Sequence, residues 1–138
     1  MKPVLLDSSV IVALLDKRER LHGQCVRVLE ELELPLVTCE AVISESCYLL
    51  RRIPNASARI LANVEEEIFQ IPFQLTHSAA SVHEILSKYR DLPASFADAC
   101  LVQMADELNT GDILTLDSDF KHYRWRRNRA FRLLIPLE

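Results

Sequence analysis

The chain has 138 residues, 49% of them hydrophobic and 26% charged, with a net charge of −4 at pH 7. This is the composition of a soluble globular protein, and a domain of that size buries about 70% of its unfolded surface. No apolar run reaches the roughly 18 residues of a transmembrane helix, and the N-terminus meets Asp7 too early for a signal-peptide core, so a single cytoplasmic domain over residues 1–138 is expected. Cys25, Cys39, Cys47 and Cys100 form no C-x-x-C pair, and His22, His77, His83 and His122 show no i, i+4 pairing. A zinc site is therefore not expected, and the thiols read as small buried apolar groups.

In chain order, Val4 to Leu6 reads as a short apolar strand, and Ser8 or Ser9 as the cap of a helix running to Asp16. A second helix fits His22 to Leu32, and PLVTC a second strand. VISESCYLLRR reads as a helix closed by Pro54, and Asn55 as the cap of the next, which runs to Glu67. FQIPFQL is a Pro-broken edge strand. Thr76 is expected to cap a helix to Lys88, and Ser95 another to Asn109, ended by Gly111. ILTL and FRLLIPL complete the strands. Short apolar strands alternating with helices predict a three-layer α/β/α fold with a mostly parallel central sheet, in which function sits beyond the carboxyl ends of the strands.

Two acids lie there. Asp7 follows the first strand in VLLDSSVIVALL, and Asp117 follows ILTL in ILTLDSDF. Each also suits a structural role, Asp7 as a helix cap and Asp117-Ser118-Asp119 as an Asx turn. Asp98 falls at the margin of the apolar stripe Leu101, Met104, Ala105 and Leu108, where Ser95-x-x-Asp98 also makes a capping box. Glu40 and Glu45 flank the apolar face of the VISESCYLL helix on opposite sides, and periodicity does not choose between them. Several carboxylates at one cleft repel each other unless a cation sits among them. Mg²⁺ takes such oxygen ligands and activates water against a phosphodiester.

The ordered set VLLDSSVIVALL, TCEAVISESCYLL, SFADACLVQMA and ILTLDSDF resembles the PIN-domain nucleases, and most closely the VapC-type toxins of toxin–antitoxin pairs. The resemblance spans nearly the whole chain. It implies an endoribonuclease dependent on Mg²⁺ or Mn²⁺, controlled by a cognate antitoxin protein and forming a homodimer. Position by position it implies a catalytic quartet of Asp7, Glu45, Asp98 and Asp117. Of these, Asp7, Asp98 and Asp117 would be the metal ligands. Ser9, Thr115 and Asp119 match accessory positions. Glu45, seven residues after Thr38, aligns better than Glu40.

The stretch KHYRWRRNRAFR, residues 121–132, carries six Lys/Arg and no acid, so with the net charge at −4 the remainder of the chain carries −10. Close after Asp117, it is expected at the cleft rim. There Arg124, Arg126, Arg127 and Arg129 would contact RNA phosphates, and Tyr123 and Trp125 would stack on bases, with Phe131 in the core. A solvated, charge-balancing loop is the plainer alternative. Two other functions compete: a phosphohydrolase of another α/β family, and a non-catalytic PIN-like domain that binds RNA or protein. Asp7-Ser8-Ser9 lacks the second Asp of the D-x-D phosphohydrolase signature, and the presence of all four acids gives degeneration no support.

Overall fold

The computed structural model describes residues 2–33 and 35–137. The first strand, β1 (Val4–Leu6), is buried on every side chain, as an apolar run must be when both sheet faces are covered. It is followed by helices α1 (Ser8–Leu15) and α2 (His22–Glu31), strand β2 (Leu36–Val37), and helices α3 (Glu40–Leu49) and α4 (Ala56–Glu65). Then come strand β3 (Phe69–Gln70), helices α5 (Leu75–Lys88) and α6 (Phe96–Leu108), and strand β4 (Asp112–Leu114). A 3-10 turn (Ser118–Lys121) leads to strands β5 (Arg124–Trp125), β6 (Arg129–Ala130) and β7 (Arg132–Leu133). The main sheet has the order β3-β2-β1-β4-β7 with every pair parallel, and β5 and β6 form a separate antiparallel hairpin. With helices on both faces this is the expected three-layer arrangement, and β3 lies at the expected edge. Among the described residues no helix is long and apolar enough to cross a membrane. All four cysteines are free thiols, with Cys47 half-buried and the other three buried.

Several caps differ from expectation. The cap of α1 is Asp7, not Ser8 or Ser9, because its carboxylate already accepts from the Ser8 N–H at 2.8 Å. Asn55 stands at the start of α4 in a left-handed conformation (φ 63°) with no side-chain capping bond, so its backbone rather than its amide sets the helix entry. Thr76 lies inside α5, which begins at Leu75 after Gln74. The left-handed residue that ends α6 is Asn109 (φ 54°). Gly111 serves packing instead: a Cβ there would lie 2.2 Å from Nε1 of Trp125, so only glycine lets the indole lie against the chain.

The most buried helix is α6. Ala97 to Val102, Met104 and Ala105 are all nine-tenths or more buried, leaving little polar surface on its first two turns. One of those residues is Asp98.

Candidate active site and metal centre

Parallel pairing of β1 with β4 aligns Leu6 with Leu114, so the loops leaving both strands emerge side by side. Asp7 is the first residue beyond β1. It is 3% exposed, and its Oδ2 accepts from Thr115 Oγ1 at 2.7 Å and Ser9 Oγ at 2.9 Å. The same hydroxyls hold the β4 loop: Ser9 Oγ accepts from the Leu116 N–H at 2.9 Å, and Thr115 Oγ1 from the Asp117 N–H at 3.0 Å. Ser9 and Thr115 therefore stitch two strand ends together around one carboxylate. Burial raises the Asp7 pKa. The hydrogen bonds from Thr115, Ser9 and Ser8 oppose that rise, and repulsion from Asp117 adds to it.

Asp117 opens the 3-10 turn, and its Oδ1 accepts from the Asp119 N–H at 2.9 Å. The Asx turn read from sequence is present, and it brings the Asp119 carboxylate toward that of Asp117. Asp98 arrives from α6. The hydroxyl of Ser95 accepts from the Asp98 N–H at 3.0 Å, which is one half of a capping box. The Asp98 carboxylate accepts the Tyr123 O–H at 2.8 Å. Burial, with repulsion from Asp7 and Asp117 added and the Tyr123 and Ser95 hydrogen bonds opposing, raises the Asp98 pKa to about 7. Tyr123 is fully buried and its pKa is pushed up by burial and by the Asp98 bond, so it stays a donor.

Asp98, Asp117 and Asp119 each offer one carboxylate oxygen within 4.8 Å of the others, a spacing suited to a shared cation. Like charges this close repel one another, and a cation shared among them would offset that repulsion. The expected ligand set was Asp7, Asp98 and Asp117. Asp119 joins Asp98 and Asp117 in the tight group, and Asp7 stands beside them, tied to its hydroxyls.

Glu45 is half-buried on α3 and accepts a short hydrogen bond from the Ser8 hydroxyl, which connects it to the residue next to Asp7. Glu40, at the first turn of α3, is exposed.

The basic segment departs furthest from its reading. Tyr123 and Trp125 are 0% and 6% exposed, so neither is available to stack on a base. Trp125 donates to the Ala130 carbonyl at 3.2 Å and packs under β6, while Phe131 is in the core as expected. Arg124 is half-buried and donates to the carbonyls of Lys121 and Tyr123, both at 2.9 Å. Arg126 is anchored on the Asp106 carboxylate by its N–H and on the Asp106 carbonyl by its guanidinium. Arg129 lies over the Trp125 ring at 5.3 Å, and Arg132 pairs with Asp112 through two bonds of 2.8 and 2.9 Å. Arg126 and Arg127 both take positive φ (35° and 62°), the conformation of a tight hairpin tip where Asn-Gly would be least strained. Their exposed side chains stand out at that tip.

The PIN-domain family profile matches residues 4–126. The chain belongs to the PIN-domain family. This PIN-domain protein is 29% identical over 118 residues to ribonuclease VapC26 of Mycobacterium tuberculosis, an alignment covering 83% of this chain and 86% of that protein. Its fold superposes on the crystal structure of Mycobacterium tuberculosis VapC20, a sarcin-ricin loop cleaving toxin. The TM-score is 0.79 at 19% identity, covering 86% of this chain and 93% of the other.

Proposed function

We infer that this PIN-domain chain is an endoribonuclease and the toxin of a toxin–antitoxin pair, one PIN unit over residues 1–138, with a cognate antitoxin protein and a homodimeric assembly. The observation that carries the reading is the buried Asp98 brought into a triad with Asp117 and Asp119 at the carboxyl end of a parallel sheet. The relation to VapC26 supports RNA as the substrate.

The donor set is three carboxylates and nothing softer, which fits Mg²⁺ or Mn²⁺. Asp98, Asp117 and Asp119 would hold the ion, with Asp7 adding negative charge alongside. When bound, the ion supplies Lewis acidity and lowers the pKa of water. The rest is the protein's part. Tyr123 fixes the Asp98 carboxylate so that its second oxygen faces a defined position. Ser9 and Thr115 hold Asp7 and the Asp117 loop in register. Glu45 has one oxygen taken by Ser8 and keeps the other to orient the attacking water and accept its proton. Attack forms a P–O bond, the bond to the leaving ribose oxygen breaks, and that oxygen takes a proton from solvent water while Glu45 keeps the one it accepted. Arg126, Arg127 and Arg129 stand at the hairpin, where Arg126 is tied to Asp106 about two turns of α6 beyond Asp98, so they would receive RNA that extends past the acids.

The expected result is cleavage of single-stranded RNA in Mg²⁺ or Mn²⁺, none in EDTA, and no hydrolysis of a generic phosphate monoester. Undiminished cleavage in EDTA would refute the reading. Replacing Arg126, Arg127 and Arg129 together with Ala is expected to weaken RNA binding and flatten its dependence on salt. The slope should fall by roughly 0.7 log units per lost phosphate contact. A slope unchanged from the parent would reduce the hairpin to a charge-balancing surface.

A further inference from the structure

An open groove of about 700 Å³ runs between α3 and the first turn of α6. Ala41, Ser44, Glu45, Tyr48, Phe96 and Ala97 line it. Tyr48 is 63% exposed and Phe96 46%, an unusual outlay of aromatic surface on a chain whose other large rings are mostly buried. The remaining apolar lining is small, Ala41 and Ala97. Glu45 lines the groove and also bonds Ser8 beside Asp7, and Ala97 in the lining precedes Asp98, so the groove borders the acidic site. Tyr48 lies one helical turn beyond Glu45, and Phe96 shares the first turn of α6 with Asp98. The Arg51 guanidinium sits 4.2 Å from the Tyr48 ring centre and donates to the Tyr48 carbonyl at 2.9 Å, so that ring carries a cation on one face.

We propose that this groove seats one unpaired nucleobase of the RNA, next to the scissile phosphate, with Phe96 and Tyr48 as its stacking walls. The proposal rests on the endoribonuclease reading and adds the part of the substrate that the acids do not touch. Charge selects the occupant. Glu40 and Glu45 both line the groove and repel a phosphate or an acidic peptide, whereas a base is flat, uncharged and presents a π face to aromatic rings. Arg51 then lies where the backbone of that nucleotide can leave toward solvent. A duplex keeps its bases stacked away from such a slot, so the groove also favours single-stranded RNA.

The test uses wild type, Phe96→Ala, Phe96→Trp and Tyr48→Ala on a single-stranded RNA whose cut position has been mapped. Phe96→Ala is expected to raise KM by roughly 5- to 150-fold with kcat little changed, and Phe96→Trp to restore it. An RNA lacking the base at one position flanking the cut should lose the same factor with wild type and lose little more with Phe96→Ala, the signature of two partners in one contact. Independent, multiplying losses would overturn the proposal. So would an unchanged KM, or a loss explained by Phe96→Ala dissociating an oligomer, which would make the groove an interface between copies. A second readout does not need cleavage. RNA carrying 2-aminopurine at the flanking position should be quenched on binding Asp98→Asn and not on binding Asp98→Asn with Phe96→Ala. Quenching by a protein whose wild type never cuts RNA would sink the nuclease reading and keep the groove. Cutting without quenching would sink the groove alone.

Discussion

Replacing Asp98 with Asn is expected to abolish RNA cleavage and, at pH 8 without metal, to leave the melting temperature unchanged or raise it. The isosteric amide can still accept the Tyr123 O–H, and the Asp98 N–H keeps its Ser95 cap, so the structural bonds survive the substitution. What disappears is a buried negative charge. The Asp98 carboxyl titrates near 7 in the fold against 3.8 when unperturbed. A carboxyl raised in the folded state favours folding while protonated. That contribution is whole below 3.8 and is lost as pH rises through about 7, because the unfolded chain ionises first. The advantage of the Asn variant over wild type should therefore be largest at pH 8 and vanish near pH 4. With Mn²⁺ at a hundredfold excess over its dissociation constant, wild type should gain about 2.7 kcal/mol, roughly 10 °C in Tm, and the variant should lose most of that gain. A pure helix cap would behave otherwise, with a loss on the order of 1 kcal/mol in both buffers and cleavage retained. Paired thermal melts at two pH values, with EDTA and with Mn²⁺, separate the outcomes.

Glu45→Gln is expected to cut the cleavage rate by roughly 10²- to 10⁴-fold, the size of effect for losing a positioned acid–base group. Glu40→Gln should retain activity within about threefold, because Glu40 is exposed while Glu45 is bonded to Ser8 beside Asp7. Single-turnover rates on one RNA compare the two directly. The reverse ranking would place the general base on the wrong side of α3.

Asp7 and Asp117 were legible in the sequence because both follow short apolar strands, and a parallel sheet puts such positions at one edge. The three-layer arrangement followed from the alternation of short apolar strands with helices, whereas the strand order, with β1 in the centre, did not. Asp98 and Glu45 were ambiguous by periodicity alone. An acid at the margin of a helical stripe looks the same whether it caps, solvates or binds, and only tertiary burial separates these. The role of Tyr123 left no local trace, since its partner lies 25 residues earlier. Its neighbours misled: in a run rich in arginine an aromatic reads as a base platform, whereas here Tyr123 and Trp125 fill the core and two-residue strands too short to show alternation carry the arginines outward. The stacking surface inferred here lies instead on α3 and α6, where an exposed Phe96 beside a capping Ser95 gave no signal of its own. Asn55 does stand at the N-cap of α4, though without a side-chain bond, whereas the cap read at Thr76 was missed because such residues suit several turn geometries and sequence alone does not fix which one the chain adopts.

The helix that carries Asp98 is also the one most deeply packed in the molecule. A loop acid can relax into solvent when its surroundings change, but this one has no local route out. Whatever alters the charge on Asp98 is transmitted to the fold as a whole rather than to a flap. The metal-free protein should accordingly open globally, exposing α6 amides and protease-sensitive backbone together, and close globally when the charge is neutralised. On the proposed metal reading, occupancy of the acid cluster would set both the activity and the resistance of the fold to opening, and hydrogen exchange of α6 amides with and without Mn²⁺ measures the second.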